Sequence, residues 1–236
     1  MKLNVMTFNT QHCMNFLTRE IDYAVMAEAI LASKPDVVSL NEMRGKGTAE
    51  GYDAQVDILA EKTGMQGYFA EAIRLDGDNP YGNGLLTRFP IKSAEVFPIP
   101  VPKEKNYNGY YEDRCLLKAV LDAEGEKLTV MVVHVGLNPD EAERAIDTIL
   151  ENLPDERCVL MGDFNLTPDS PFIERIKERM KDAAAYIRGE CATHPSDAPR
   201  DKIDYIFVTK DIEIESAEIP KIVASDHRPH TAVLKF

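Results

Sequence analysis

The sequence predicts an α/β fold whose sheets are not purely parallel. Three observations lead there. Short apolar runs stop abruptly on a polar residue, helix-periodic segments lie between them, and the end of the chain carries strand-like runs with no helix between.

Taken in order, Leu3 to Phe8 reads as a buried strand stopping at Asn9, and Ile21 to Ser33 as a helix. Val37 to Leu40 is a second strand stopping at Asn41 and Glu42, followed by helical periodicity over Ala54 to Lys62. Pro98 to Asn108 holds three prolines and several charges, the signature of a surface loop. Leu128 to Val133 is a strand stopping at His134, Glu141 to Leu150 a helix, and Val159 to Met161 a strand stopping at Gly162 and Asp163. Pro171 to Met180 is helical in period. Ile203 to Val208, Glu213 to Ile219 and Thr231 to Phe236 read as strands in succession, which suggests antiparallel pairing. Two segments share a plan: helix Ile21 to Ser33, Pro35, Asp36 and a strand delivers Glu42, while helix Glu141 to Leu150, Pro154, Asp155 and a strand delivers Asp163.

With 236 residues and 44% apolar content the chain can bury a substantial core. Forty acidic against 27 basic residues give a formal charge of −13, so strong non-specific binding to long DNA is disfavoured. Cys13, Cys115, Cys158 and Cys191 are scattered, without zinc-like CxxC spacing, and read as free thiols. The expectation is a soluble cytoplasmic protein with no signal-peptide core and no membrane span.

The strand ends carry the chemistry. Gly162, Asp163, Phe164 and Asn165 bring an acid and an amide to one strand terminus, although Asp, Asn and Gly are also the ordinary residues of a strand-to-turn transition. Asp204 sits within the apolar run Ile203 to Val208, where an ionised carboxylate is costly without a partner. Ser225, Asp226, His227, Arg228 and Pro229 supply one: an imidazole that Asp204 could orient and keep in one tautomer. An isolated Asp-His pair is more often a surface turn, but here one account must cover both segments. Glu42 offers a hard oxygen ligand suited to Mg²⁺. Asn9 and His134 close apolar strands, where each alone would more often be a turn amide or a structural histidine.

The order Thr7, Phe8, Asn9; Asn41, Glu42; Gly82 to Arg88; His134; Gly162 to Asn165; Ile203 to Phe207; Ser225 to Pro229 resembles the endonuclease/exonuclease/phosphatase superfamily. The resemblance spans nearly the whole chain, so residues 1–236 are expected as a single domain. It implies a deoxyribonuclease-I-like, four-layer α/β/β/α sandwich of two mostly antiparallel sheets flanked by helices. It also implies Glu42 as the principal Mg²⁺ ligand, with Mn²⁺ as a substitute and Asn9 and Asp226 close to the metal. Asp163 and Asn165 would position water and phosphate, His227 oriented by Asp204 would act as base or polarising group, and His134 would assist the leaving oxygen.

Four residues are weaker candidates for substrate binding. Arg114 begins a strand and could grip a phosphate, although an arginine beside Glu112 and Asp113 is more often a surface ion pair. Asn83 lies between Gly82 and Gly84, which alternatively mark a turn. His12 follows Asn9 closely enough to reach the same cleft, and His194 stands in a loop before Pro195. The function expected is metal-dependent hydrolysis of a phosphate ester, on a small phosphorylated metabolite, lipid head group or short nucleotide. The alternatives are a nuclease cleaving DNA or RNA, and a binding module on the same fold without turnover. Oligomeric state is not legible.

Overall fold

The computed structural model describes residues 1–235, and Phe236, the end of the last predicted strand, lies outside the described residues. In chain order the strands are β1 (Lys2–Asn9), β2 (Val37–Arg44), β3 (Gln66–Leu75), β4 (Asn79–Thr87), β5 (Ile91–Ile99) and β6 (Arg114–Ala123). They continue as β7 (Glu126–His134), β8 (Cys158–Asp163), β9 (Met180–Asp182), β10 (Asp204–Thr209), β11 (Glu213–Glu218) and β12 (His230–Lys235). The α-helices are α1 (Tyr23–Ala32), α2 (Gln55–Thr63), α3 (Pro139–Asn152) and α4 (Pro171–Lys177).

The helices start and stop where local chemistry dictates. Asp22 accepts hydrogen bonds from the amides of Ala24 and Val25 to open α1, and Asn138 with Glu141 forms a capping box on α3. Gly64, left-handed at φ 68°, ends α2. The predicted helix to Met180 stops short at Lys177, because Met180 begins the edge strand β9.

Two six-stranded sheets result, ordered β11-β12-β1-β2-β4-β3 and β5-β6-β7-β8-β10-β9. Each is antiparallel except at one central pair, β1 with β2 and β7 with β8. Those two pairs are the similarly planned segments of the sequence: α1 is the crossover between β1 and β2, and α3 the crossover between β7 and β8. The late strands do pair antiparallel, but they divide between the sheets, β10 going to β8 and β9 while β11 and β12 pair with each other.

Apolar alternation makes the layers. Leu3, Val5 and Leu85 of the first sheet pack against Leu117, Val130, Val132, Val159 and Ile206 of the second. On the outer faces, Met26 and Ile30 of α1 and Leu59 of α2 cover Phe8, Val38 and Leu40, while Ala142, Ile146 and Ile149 of α3 cover Met131, Val133 and Leu160. Each such side chain contributes about 1.5–3 kcal/mol when fully buried. Helix, sheet, sheet, helix is the deoxyribonuclease-I-like sandwich. No helix among the described residues is long and apolar enough to cross a membrane.

Parallel strands bring their carboxyl ends to the same edge, so Asn9 stands beside Asn41 in register and His134 beside Asp163. Asn41 ties the two sheets together at that edge. Its Nδ2 donates to Val133 O and to Asn83 Oδ1, both at 2.9 Å, and its Oδ1 accepts from the Asp163 amide at 2.9 Å.

Candidate active site

Glu42 does not end its strand, as the sequence suggests, but sits in a bulge within β2, where the register slips between Leu40 and Met43 and Glu42 takes φ 60°. The extra residue lets Met43 rejoin the outer apolar face of Val38 and Leu40, and it takes Glu42 out of the in-out alternation. A non-glycine residue in this left-handed region carries strain, a common property of site residues.

Gly162 lies inside β8 at φ 150°, where a Cβ would stand 1.8 Å from Val133 O. Close approach to β7, not a turn, is what requires glycine there. It allows Asp163 to sit level with His134 on one side and Asp204 on the other.

Asp163 is the hub. Its Oδ2 accepts from Asn9 Nδ2 at 3.0 Å and lies 3.6 Å from His134 Nε2 and 3.8 Å from His227 Nε2, while its Oδ1 accepts from the Asn165 amide at 2.9 Å. Asn9 Nδ2 also donates to Glu42 Oε1 at 3.0 Å, so one amide joins both carboxylates. Burial holds the Asp163 carboxyl well above its ordinary range, with the Asp204 charge adding to it and His227 opposing.

His227 Nδ1 lies 2.8 Å from Asp204 Oδ2, and both residues are buried. The carboxylate fixes the tautomer: Nδ1 carries the proton shared with Asp204, and Nε2 faces Asp163. Burial disfavours a charged ring, but the Asp204 and Asp163 carboxylates together outweigh it and raise His227 to about 10.

His134 is the opposite case. Burial, then the charges of Arg114 and His227, push it well below its ordinary value, so the ring is neutral. Arg114 Nη1 stands 3.1 Å from His134 Nδ1. A guanidinium can only donate, so Nδ1 is the acceptor and Nε2 carries the hydrogen. Asn165 Nδ2, 3.1 Å from that Nε2, therefore donates instead to Val135 O at 3.0 Å, and the His134 N–H is left directed at Asp163 and the cleft. Arg114 is not a surface ion pair: it is 8% exposed and held at 2.7 Å by Glu112.

The remaining candidates divide. His12 reaches the cleft, its Nδ1 being 3.8 Å from Glu42 Oε2, with burial and Arg44 lowering it to about 4. The His194 ring lies 4.8 Å from that of His227. Asp226 is close enough that its charge, after burial, raises the Glu42 carboxyl. Asn83 lies in β4, the strand near the cleft that the resemblance implies; it is 1% exposed and spends its amide on Asn41 and on Cys115 O at 3.1 Å, which places it in the floor of the site. Sequence reasoning missed Tyr81, which burial and the Glu42 charge keep protonated beside Arg114 and Glu112. Its only signal was an aromatic residue directly before the Gly82 to Gly84 segment.

The donors fit a hard divalent cation. Glu42 and Asp226 present oxygen, and the strain between two neighbouring carboxylates, one of them buried and pushed up, is relieved by a positive charge. Asn9 lies beside them but turns its Nδ2 to Glu42, its Oδ1 being taken by the Gln11 amide at 3.0 Å.

Two imidazoles and an amide thus gather with several carboxylates around the buried Asp163. The chain matches the Endonuclease/Exonuclease/phosphatase family over residues 6–227 and belongs to that family of phosphoric ester hydrolases. Among solved structures, an endonuclease/exonuclease/phosphatase from Beutenbergia cavernae shares 21% identity at TM-score 0.82, covering all of this chain and 72% of that one. A mannosyl-6-phosphatase from Bacteroides thetaiotaomicron shares 16% at TM-score 0.75, covering 99% of this chain and 100% of that one. The human Nocturnin catalytic domain with bound sulfate shares 18% at TM-score 0.72, covering 100% and 93%. At such identities the likeness is one of fold. A comparison with curated proteins returned no match.

Proposed function

We propose that residues 1–236 act as one catalytic domain, a Mg²⁺-dependent hydrolase of a small phosphate ester. The observation that carries the reading is the convergence on Asp163 Oδ2 of Asn9 and of the Nε2 atoms of His134 and His227.

Glu42 and Asp226, with Asn9 beside them, would hold the cation, which when bound would supply charge to neutralise the phosphate oxygens. Asp163 and Asn165 orient the attacking water and the phosphate. His227, held by Asp204, would take the water's proton at Nε2 in its neutral form, or polarise a phosphoryl oxygen in its protonated form. His134, neutral and fixed by Arg114, donates its Nε2–H to the phosphoryl or leaving oxygen, and Tyr81 and His12 border the same cleft. A base of this kind contributes about 10²–10⁴ in rate.

Small substrates are favoured by the charge of −13 and the absence of tryptophan, since a nuclease follows its strand with basic and aromatic groups. Similarity in fold to a mannosyl-6-phosphatase supports a phosphorylated sugar within that class. One feature favours a short nucleotide instead: Tyr107 and Tyr110 stand exposed in the loop before Arg114, as stacking surfaces for a base. The test is turnover of hexose 6-phosphates, dinucleotides and plasmid DNA, each with Mg²⁺ and with chelator. The expected result is chelator-sensitive release of phosphate from the small esters, with plasmid intact. Efficient plasmid cleavage would replace this reading with the nuclease.

A further inference from the structure

We infer that His194, Asp226 and His227 form a second metal site, selective for a transition metal such as Zn²⁺, whose occupation silences the enzyme. The inhibitory part rests on the hydrolase reading above, while the binding part does not.

The ligating atoms of these three residues lie within 4.8 Å of one another. Around Zn²⁺, with bonds of about 2.0–2.2 Å, tetrahedral ligand atoms stand roughly 3.4 Å apart. A short inward rotation closes that difference, and His194 and Asp226, only partly buried, have room for it. His227 is the fixed member.

His227 has a hydrogen-bonded carboxylate behind its Nδ1, and His194 has a carboxylate only near its own. Asp204 Oδ2 stands 2.8 Å from His227 Nδ1, and Asp201 Oδ2 stands 3.9 Å from His194 Nδ1. A carboxylate on one ring nitrogen orients the imidazole and raises the basicity of the other, an arrangement typical of metal-bound histidine. Two imidazole nitrogens with one carboxylate oxygen form a zinc donor set with a fourth position for water, unlike the all-oxygen donors of Glu42 and Asp226 that suit Mg²⁺.

The backbone holds the two segments in place. Arg228 N donates to Thr193 O at 2.8 Å, Ser196 N to Asp226 O at 2.7 Å, Ser196 Oγ to Ser225 O at 2.6 Å and Arg228 Nε to Ser196 O at 2.6 Å. The strap before β10 is thus laced directly to the segment bearing Asp226 and His227. An antiparallel bridge between His194 and Asp201 sets the orienting acid on the same strap.

Zinc on His227 Nε2 displaces the proton held there to solvent and takes the lone pair that would accept the water's proton, and Asp226 is drawn away from Mg²⁺. The site is therefore inhibitory while leaving Glu42 free.

The experiment is zinc binding by competition with a chromophoric chelator, alongside hydrolysis of bis-p-nitrophenyl phosphate, p-nitrophenyl phosphate and hexose 6-phosphates at saturating Mg²⁺ and rising Zn²⁺. The variants are His194→Phe, His194→Gln, Glu42→Gln and Cys191→Ser, each checked for folding by circular dichroism. The expected result is one zinc per chain, weakened at least 10-fold in both His194 variants and unchanged in the other two. The zinc concentration for half-inhibition, relative to each variant's own zinc-free rate, should rise by the same factor in the His194 variants. Zinc affinity indifferent to His194, or lost instead in Cys191→Ser, overturns the site. Zinc bound through His194 without inhibition overturns the silencing. Absence of any hydrolysis in the presence of His194-dependent zinc binding contradicts the hydrolase reading and leaves the metal site standing.

Discussion

Asp204→Asn isolates the charge behind His227. The wild-type imidazole is raised to about 10, from an ordinary value of 6.5, by the Asp204 and Asp163 carboxylates acting against burial. A raised histidine contributes stability that is fully present below pH 6.5 and is lost as pH rises through about 10, because above 6.5 the folded state holds a proton that the unfolded chain has released. With Asp204 and His227 both buried and 2.8 Å apart, the pair is little screened by solvent, and removing one partner of such a pair costs about 3–5 kcal/mol. Asparagine keeps an oxygen for the Nδ1–H but not the charge, so the variant should lose stability at pH 6 and lose much less at pH 10. Urea unfolding of both proteins at the two pH values reads the difference directly. A stability gap between wild type and variant that does not narrow from pH 6 to pH 10 would refute the electrostatic account.

Other expectations follow from the same structure. His230 is fully buried, neither ring nitrogen makes a side-chain hydrogen bond among the described residues, and burial lowers it to about 4. Between pH 6.5 and 4 the unfolded chain binds a proton that the folded one does not, so stability falls as pH drops, and His230→Leu should stabilise the protein by about 1–3 kcal/mol at pH 5 in thermal melts. No gain at pH 5 would count against it. Gly162→Ala, which sets a Cβ 1.8 Å from Val133 O, should cost about 4 kcal/mol or more and be visible as a collapsed Tm. A melt within a few degrees of wild type would mean that β7 and β8 can separate freely. Glu42→Gln should abolish the rise in Tm on adding MgCl₂ without lowering the metal-free Tm, since it removes a carboxylate pushed up by burial and Asp226. An undiminished Mg²⁺ response would remove Glu42 from the metal.

What the sequence makes legible is what alternation and chemistry write locally. The buried central strands β1, β2, β7, β8 and β10 read clearly, because their apolar runs are nearly unbroken and each meets a polar residue at one end. The sheet-edge strands β3 and β5 did not stand out, because only scattered positions along them are buried and the period of two is lost. Asp204 inside an apolar run announced a partner, and His227 was the one within reach of the motif. Arg114 was harder, since its neighbours Glu112 and Asp113 suggest a surface pair, and only the pairing of β6 with β7 turns it to His134. Glu42 was legible as a residue but not as a bulge, for the slipped register depends on the partner strand β4. Asn41 and Asn83 lock the two sheets beneath the site through bonds between strands far apart in sequence, which no local pattern encodes.

The central claim is tested most directly by Mg²⁺-dependent turnover of bis-p-nitrophenyl phosphate and p-nitrophenyl phosphate in wild type, Asp163→Asn and His227→Gln, all shown to be folded. Chelator-sensitive hydrolysis by the wild type that falls about 10²-fold or more in each variant is the predicted result. Turnover in the variants near that of the wild type, or wild-type turnover indifferent to chelator, would contradict it.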